Sequence, residues 1–177
     1  SRQPFEKAVP AVAAVWSIET KGESLSPRLL ADVNVRISSN GDIGLHIENM
    51  TWNGSPLEGR LLLRSGVASI RTFRSGFGLA TTSVGSVYQF GGVADLRAFQ
   101  PTAGREALTT DSMQLLQSLI ADIDNFASIT LAGRPESDSS TPFMQWAANH
   151  GRYDLCEHLK IAIHPGERTT LGEIRTR

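Results

Sequence analysis

The feature that most constrains the fold is a strict alternation of apolar and polar residues on both sides of Asn40-Gly41. Apolar residues occupy every second position, first Ala31, Val33, Val35 and Ile37 and then Ile43, Leu45 and Ile47. This period of two is typical of half-buried strands, whose side chains point alternately to opposite faces. A two-residue turn would place the two apolar sets on opposite faces, whereas a loop of residues 39–41 aligns them. The sequence therefore predicts a hairpin with Gly41 in a left-handed bulge.

Short β-prone runs fill the first hundred residues. A further alternation covers residues 11–19, and five runs follow "WNGSPLEG", a turn by composition. These runs are "RLLLR", "VASIRTFR", "FGLATTSV", "SVYQF" and "VADLRAF". No helical period interrupts them, and glycines separate them. The pattern predicts a curved antiparallel sheet or a partly closed β-barrel over residues 11–99.

The period changes after "QPTAGRE". Met113, Leu116, Ile120 and Ile123 recur at spacings of three and four, and Leu115, Leu119 and Phe126 widen the apolar stripe. This spacing predicts an amphipathic helix of about four turns, with a cap at Thr109, Thr110 or Asp111.

The stretch "TPFMQWAANHGRYDLCEHL" predicts a helix hairpin. Thr141 as cap and Pro142 at the first helical position favour a helix start, and Gly151 favours a left-handed stop. A second helix is expected to open at Tyr153 or Asp154 and to end at Pro165.

These patterns together predict one α+β domain over residues 1–177. Its β region covers residues 11–99, a helical region over residues 109–164 packs on it, and residues 165–177 form a polar tail. A chain of 177 residues with 40% apolar content is long enough for one sizeable core.

The segment "AANHGRYDLCEHL" resembles the later part of an ankyrin repeat. Upstream, "TPFMQWAA" is similar to the opening of that repeat but carries one residue too many before the alanines. No second copy occurs about 33 residues away, and a solenoid needs about three repeats to bury its core. The sequence therefore predicts an isolated helix hairpin rather than an ankyrin domain.

The local motifs of catalysis are missing from the sequence. It contains no Walker-type loop, no "His-Glu-x-x-His" and no complete dinucleotide-binding glycine loop. Cys156 and His158 stand two apart, so on a helix they face different directions, and a structural cysteine with surface histidines is expected. No cofactor, metal site or catalytic residue is predicted, although an enzyme with a dispersed site stays a third hypothesis.

The charge is balanced overall but uneven locally. A net charge of −1 argues against nucleic acid as a partner. Residues 59–94, however, carry Arg60, Arg64, Arg71 and Arg74 without an acidic residue. Such arginines are either solvated or form a face that binds phosphate or carboxylate.

The leading hypothesis is a non-enzymatic protein–protein interaction or adaptor domain, whose partner is another protein or a second copy. The expected anchors are Trp52, Arg71, Phe73, Arg74 and Trp146, because Trp, Arg and aromatic residues are enriched at interface centres. The alternative is a β-barrel that binds a small molecule or anion through the arginine-bearing strands 60–74.

The sequence contains no apolar run long enough for a membrane span, and a single cysteine fits a reducing compartment. A soluble, cytoplasmic protein is expected, and secretion without a cleaved signal peptide is left open.

Overall fold

The computed structural model describes residues 19–21, 42–157, 159–164 and 167–170. The chain divides into two compact units, residues 1–123 and 124–177. Whether the two make up one domain, as the sequence predicts, stays a prediction. The predicted strand 31–37 and the loop at Asn40-Gly41 lie outside the described residues.

The first unit contains a mixed β-sheet. Its main strands are β2 (Asp42–Trp52), β3 (Ser55–Arg64), β4 (Ile70–Arg74), β5 (Phe77–Thr82) and β6 (Gly91–Leu96). The three-residue β1 (Glu19–Lys21) pairs with β2 at one edge, and the strand order is β1-β2-β3-β6-β4-β5. This sheet and the helices described below give the predicted α+β class.

Strands β2 and β3 form a hairpin around Asn53 and Gly54. Both turn residues have a positive φ, 47° and 77°, as a two-residue turn between twisted strands requires. Ile43 pairs with Leu63 and Leu45 pairs with Leu61 across the hairpin, and all four side chains are buried. The predicted alternation over residues 43–47 is therefore confirmed.

Two pairings correct the expectation of a purely antiparallel sheet. Strand β1 runs parallel to β2, and β4 runs parallel to β6. The parallel pairing of β4 with β6 follows from the strand order. Strand β6 lies between β3 and β4 and pairs antiparallel with β3, and the β4–β5 hairpin lies on its other side. The sheet is also not closed into a barrel, because β4 is the only described strand that pairs with β5.

The predicted amphipathic helix is present as α1 (Thr110–Leu131), six turns long rather than four. Thr109 caps it, because its hydroxyl accepts a hydrogen bond from the backbone N–H of Ser112 at 3.4 Å. The predicted stripe is buried at five positions within the first unit: Leu115, Leu116, Leu119, Ile120 and Ile123. The Thr82 hydroxyl reaches the Met113 sulfur at 3.6 Å, so the start of α1 contacts β5.

The second unit contains helix α2 (Thr141–Asn149). Its N-cap is Ser140, one residue before the predicted Thr141, because the Ser140 hydroxyl accepts from the N–H of Phe143 at 3.3 Å. Gly151 follows the helix with φ 65°, the left-handed conformation that the sequence predicts. Neither α1 nor α2, the helices of the described ranges, is long and apolar enough to cross a membrane.

The predicted second helix of the hairpin is wrong. Tyr153–Cys156 forms a single 3₁₀ turn, and the chain then enters strand β7 (Lys160–His164). Strand β7 pairs antiparallel with β8 (Glu167–Thr170), which lies in the predicted polar tail. The apolar spacing over these residues suits a helix, but cross-strand hydrogen bonding and the β-branched Ile161 and Ile163 favour the strand.

We predict that Gly59→Ala destabilises the first unit. Gly59 has a φ of +143°, and an added Cβ would lie 1.9 Å from the backbone oxygen of Asp95 on β6. Strain and overlap together should lower the free energy of unfolding by about 3 kcal/mol, measured by urea denaturation. Gly85→Ala is the control, because its Cβ would meet nothing within 4 Å and its φ is not positive. Equal stability of the two variants would contradict this account.

We also predict that Asp122→Asn stabilises the protein above pH 6. Asp122 on α1 is 7% exposed, and its burial raises the pKa of the carboxyl group from 3.8 to about 6. The folded state therefore binds this proton more tightly than the unfolded state. The resulting stabilisation is complete below pH 4 and is lost as the pH rises through 6, a difference on the order of 2 kcal/mol.

The measurement is the free energy of unfolding between pH 4 and pH 8. The variant should show a flatter pH dependence than the parent and exceed its stability at pH 8. Asp111→Asn, which removes an exposed carboxylate from the first turn of the same helix, is the matched control. If raising the pH from 4 to 6 increased the free energy of unfolding of the parent relative to that of Asp122→Asn, the assignment would be refuted.

Candidate functional site

The turn between β4 and β5 organises the candidate site. Ser75 and Gly76 make this two-residue turn with φ of 49° and 82°. The N–H of Gly76 donates to Oδ2 of Asp95 on β6 at 2.7 Å, which fixes the turn against the neighbouring strand. Ser75 lines two clefts, so the turn is a wall that both share.

The first of these, named here the arginine cleft, has a volume of about 390 Å³. It is lined by Arg74, Ser75, Phe77, Gly78, Leu79, Pro101 and Arg105. Phe77 is the most exposed large apolar side chain of the described residues, at 79%. An aromatic ring and two guanidinium groups therefore surround one concave surface.

Two local structures position the arginines. The Arg74 guanidinium donates to Oε1 of Gln100 at 2.9 Å, a bond that orients it at the end of β4. Arg105 has a φ of 59° and lies in a tight loop, where its N–H donates to the carbonyl of Thr102 at 2.9 Å. The bridge between Pro101 and Leu108 closes this loop. A side-chain hydrogen bond thus orients Arg74, and a constrained backbone presents Arg105.

Strand β5 is the edge of the sheet next to the arginine cleft. Ala80 directs its N–H and its carbonyl toward β4, where the Thr72 hydroxyl satisfies both at 3.2 and 2.8 Å. A bulge interrupts the β4–β5 register here, between Arg71 and Phe73, and the outer edge of β5 faces away from β4. No described strand pairs with that edge. An extended segment can add to it.

The second cleft, named here the charged cleft, has a volume of about 470 Å³. It is lined by His46, Glu58, Gly59, Arg60, Ser75, Asp95 and Arg97. His46 pairs with Arg60 across β2 and β3, and Arg60 pairs with Asp95 across β3 and β6. One row of side chains on three strands thus carries an imidazole, a guanidinium and a carboxylate.

Close contacts between basic and acidic side chains surround this row. The His46 Nε2 lies 3.3 Å from Oε1 of Glu48, and the Arg97 guanidinium lies 3.0 Å from Oε2 of Glu58. These four side chains are between 40% and 58% exposed, whereas Asp95 is only 8% exposed. The cleft therefore combines a solvated rim with one buried carboxylate.

The five predicted anchors do not come together. Arg74 lines the arginine cleft, and Arg71 is exposed with its guanidinium carbon 5.7 Å from the centre of the Phe73 ring. Phe73 and Trp146 are 1% and 3% exposed, so neither lies at the surface where an anchor is needed. Trp52 is half-buried, and its indole N–H is buried without a hydrogen-bond partner.

Trp146 belongs to the second unit, where it supports α2. Its Nε1–H donates to Oδ1 of Asn125 at 2.9 Å, and its ring stacks on Phe143 and on His150. The ring nitrogen Nδ1 of His150 also lies 2.8 Å from the carbonyl of Trp146. These contacts give Trp146 a structural role.

The predicted arginine strip is divided. Arg60 lines the charged cleft, whereas Arg74 lines the arginine cleft. The sheet is not closed into a barrel, so the interior that the anion-binding alternative requires is not formed by the described strands.

Sequence reasoning missed Phe77, Arg105, His46 and Asp95. The dipeptide Ser75-Gly76 between two β-prone runs is a hairpin signal, and it would have placed Phe77 at a hairpin end. The pairing that brings Asp95 next to Arg60 depends on long-range register, which no local pattern encodes.

Cys156 is buried at 8% exposure, and burial raises the pKa of its thiol, with the nearby Asp154 carboxylate adding to the effect. A raised pKa disfavours the thiolate that a nucleophile or metal ligand needs. Within the described ranges, no three His, Cys, Asp or Glu residues are placed to hold a metal ion.

Comparison with known protein families finds no match, and no curated protein matches the chain. The candidate site is therefore interpreted from its own geometry.

Proposed function

We propose that this chain is a non-enzymatic protein-interaction domain that binds an extended, acidic segment of another protein along β5. The observation that carries the proposal is Phe77, 79% exposed in a cleft that Arg74 and Arg105 also line. Exposed apolar residues are common singly. This one lies in a concave surface at a sheet edge, where a partner can cover it.

Covering Phe77 supplies apolar binding energy. Burial of a phenylalanine side chain contributes about 1.5–3 kcal/mol, and aromatic anchors surrounded by polar groups are typical of interface centres. Leu79 lines the same cleft and is half-buried, so it extends the apolar contact beyond the ring.

The charges of the site favour an acidic segment. Residues 59–94 carry four arginines and no acidic residue. Arg74 gives one hydrogen bond to Gln100, and a guanidinium group has five N–H donors, so donors remain for a carboxylate. Basic segments would meet two like charges in the same cleft.

The edge of β5 supplies backbone hydrogen bonds. No described strand pairs with the outer edge of β5, and a segment in strand conformation would pair there while its side chains enter the arginine cleft. In this mode the backbone gives affinity, and the cleft gives specificity.

We predict that selection from a random peptide library on phage enriches peptides that combine Asp or Glu with alternating apolar residues. Binding of a selected peptide should weaken about tenfold with Arg74→Gln or Arg105→Gln, because each removes a charge-assisted hydrogen bond. Phe77→Ser should weaken it similarly by removing the apolar anchor. Fluorescence anisotropy of the labelled peptide measures each affinity.

Arg134→Gln is the matched control, since it removes one exposed arginine from the second unit and should leave the affinity unchanged. Circular dichroism establishes that every variant is folded. Enrichment of basic peptides, or selected peptides that bind Phe77→Ser as tightly as the parent, would contradict the proposal. If peptide binding were lost with both arginine variants but not with Phe77→Ser, a simple anion-binding site would be favoured instead.

A further inference from the structure

The charged cleft differs chemically from the arginine cleft. Every side chain described in it is polar or charged, and its one other lining residue is Gly59. Among its described lining residues there is no Phe, Tyr or Trp side chain to act as an apolar anchor of the kind that protein partners use. A volume of about 470 Å³ lies within the range of small-molecule pockets.

The deepest charge of this cleft is fixed in position. Asp95 is 8% exposed, and its Oδ2 accepts from the N–H of Gly76 at 2.7 Å. A carboxylate is costly to bury without charged or polar partners. Arg60 lies directly opposite Asp95 in the antiparallel register, at a separation where opposite charges attract. The position of this carboxylate is therefore set by the β3–β6 pairing and by the turn.

The backbone around Asp95 is equally constrained. Any Cβ on Gly59 would lie 1.9 Å from the carbonyl oxygen of Asp95, so the two strands approach too closely for another residue. A bulge in β2 between Ile47 and Met50 bends the hairpin beside it. Bulges of this kind are frequent next to functional sites, where they redirect side chains. The cleft is thus preformed by backbone contacts.

The charge pattern selects the class of ligand. Two guanidinium groups, Arg60 and Arg97, face two carboxylates, Asp95 and Glu58, within one cleft. A ligand with a single charge would be attracted by the two groups of opposite charge and repelled by the two groups of the same charge. A ligand that carries both an ammonium and a carboxylate group can pair with each.

We infer that the charged cleft binds a small zwitterion of the α-amino-acid class. Its carboxylate pairs with Arg60 or Arg97, and its ammonium pairs with Asp95 or Glu58. This site is independent of the segment-binding function proposed for β5.

The test is a titration of ¹⁵N-labelled protein with L-serine and L-glutamine, followed by amide chemical shifts. Shifts are expected at Gly59, Ser75 and Gly76, at millimolar ligand or below. N-acetyl-L-glutamine lacks the ammonium and L-glutaminamide lacks the carboxylate, so each should bind at least about tenfold more weakly than L-glutamine.

Asp95→Asn and Arg60→Gln should each weaken L-glutamine binding about tenfold or more. Asp95 also accepts the hydrogen bond of Gly76 that holds the turn, so its replacement could disturb the fold. Arg97→Gln changes an exposed residue and leaves that hydrogen bond in place. Arg74→Gln should not change the affinity, since Arg74 lines the other cleft. The inference is overturned if neither amino acid shifts these amides, if a singly charged analogue binds as tightly, or if Arg60→Gln and Arg97→Gln are both without effect.

Discussion

The close approach of β3 and β6 is the constraint on which the rest of the first unit depends. Gly59 at one end and Gly92 at the other have φ near +143°, and a Cβ on either would enter the partner backbone at 1.9 or 2.3 Å. With these two strands in register, Leu61 and Ala94 face one buried layer while Arg60 and Asp95 face the charged cleft. Core and site thus follow from one pairing.

The electrostatic difference between the clefts follows from the same arrangement. Strand β6 brings Asp95, and Arg97 after it, beside the acid-free segment of residues 59–94, so Arg60 gains an acidic neighbour across the register. Arg74 lies at the far end of β4, where Gln100 is its neutral partner. Arg60 thus has an acidic neighbour, whereas Arg74 has a neutral one. For this reason the arginines of residues 59–94 do not form a single positively charged patch.

The sequence predicted those parts of the structure that local periodicity encodes. The alternation over residues 43–47, the buried stripe of α1 and the left-handed Gly151 depend on neighbouring residues, and all three are present. The parallel pairing of β4 with β6 could not be predicted, because strand order depends on which distant strands meet. The helix predicted over residues 153–164 is wrong for a related reason. The apolar spacing of these residues fits both a helix and a strand, and pairing with β8 decides in favour of the strand.

The candidate site was less predictable than the fold. Of the five expected anchors only Arg74 lines either of the two clefts described above, because composition identifies aromatic residues without telling whether they are core or surface. Phe73 and Phe77 stand four positions apart at the same hairpin, yet one is 1% and the other 79% exposed. Across the two-residue turn Phe77 pairs with the exposed Arg74, so it lies on the face opposite to that of Phe73, and only the hairpin register makes this assignment.

The hydrogen bond between Gly76 and Asp95 also limits how this chain can vary in length. Hairpin tips are ordinarily the places where inserted or deleted residues are tolerated, because their backbone is solvated. Here the tip is tied to a side chain of β6 at 2.7 Å, and Ser75 shapes two clefts at once. A single extra residue would move Gly76 away from its acceptor and alter both clefts. This tip is therefore a fixed-length element, unlike the exposed loops around it.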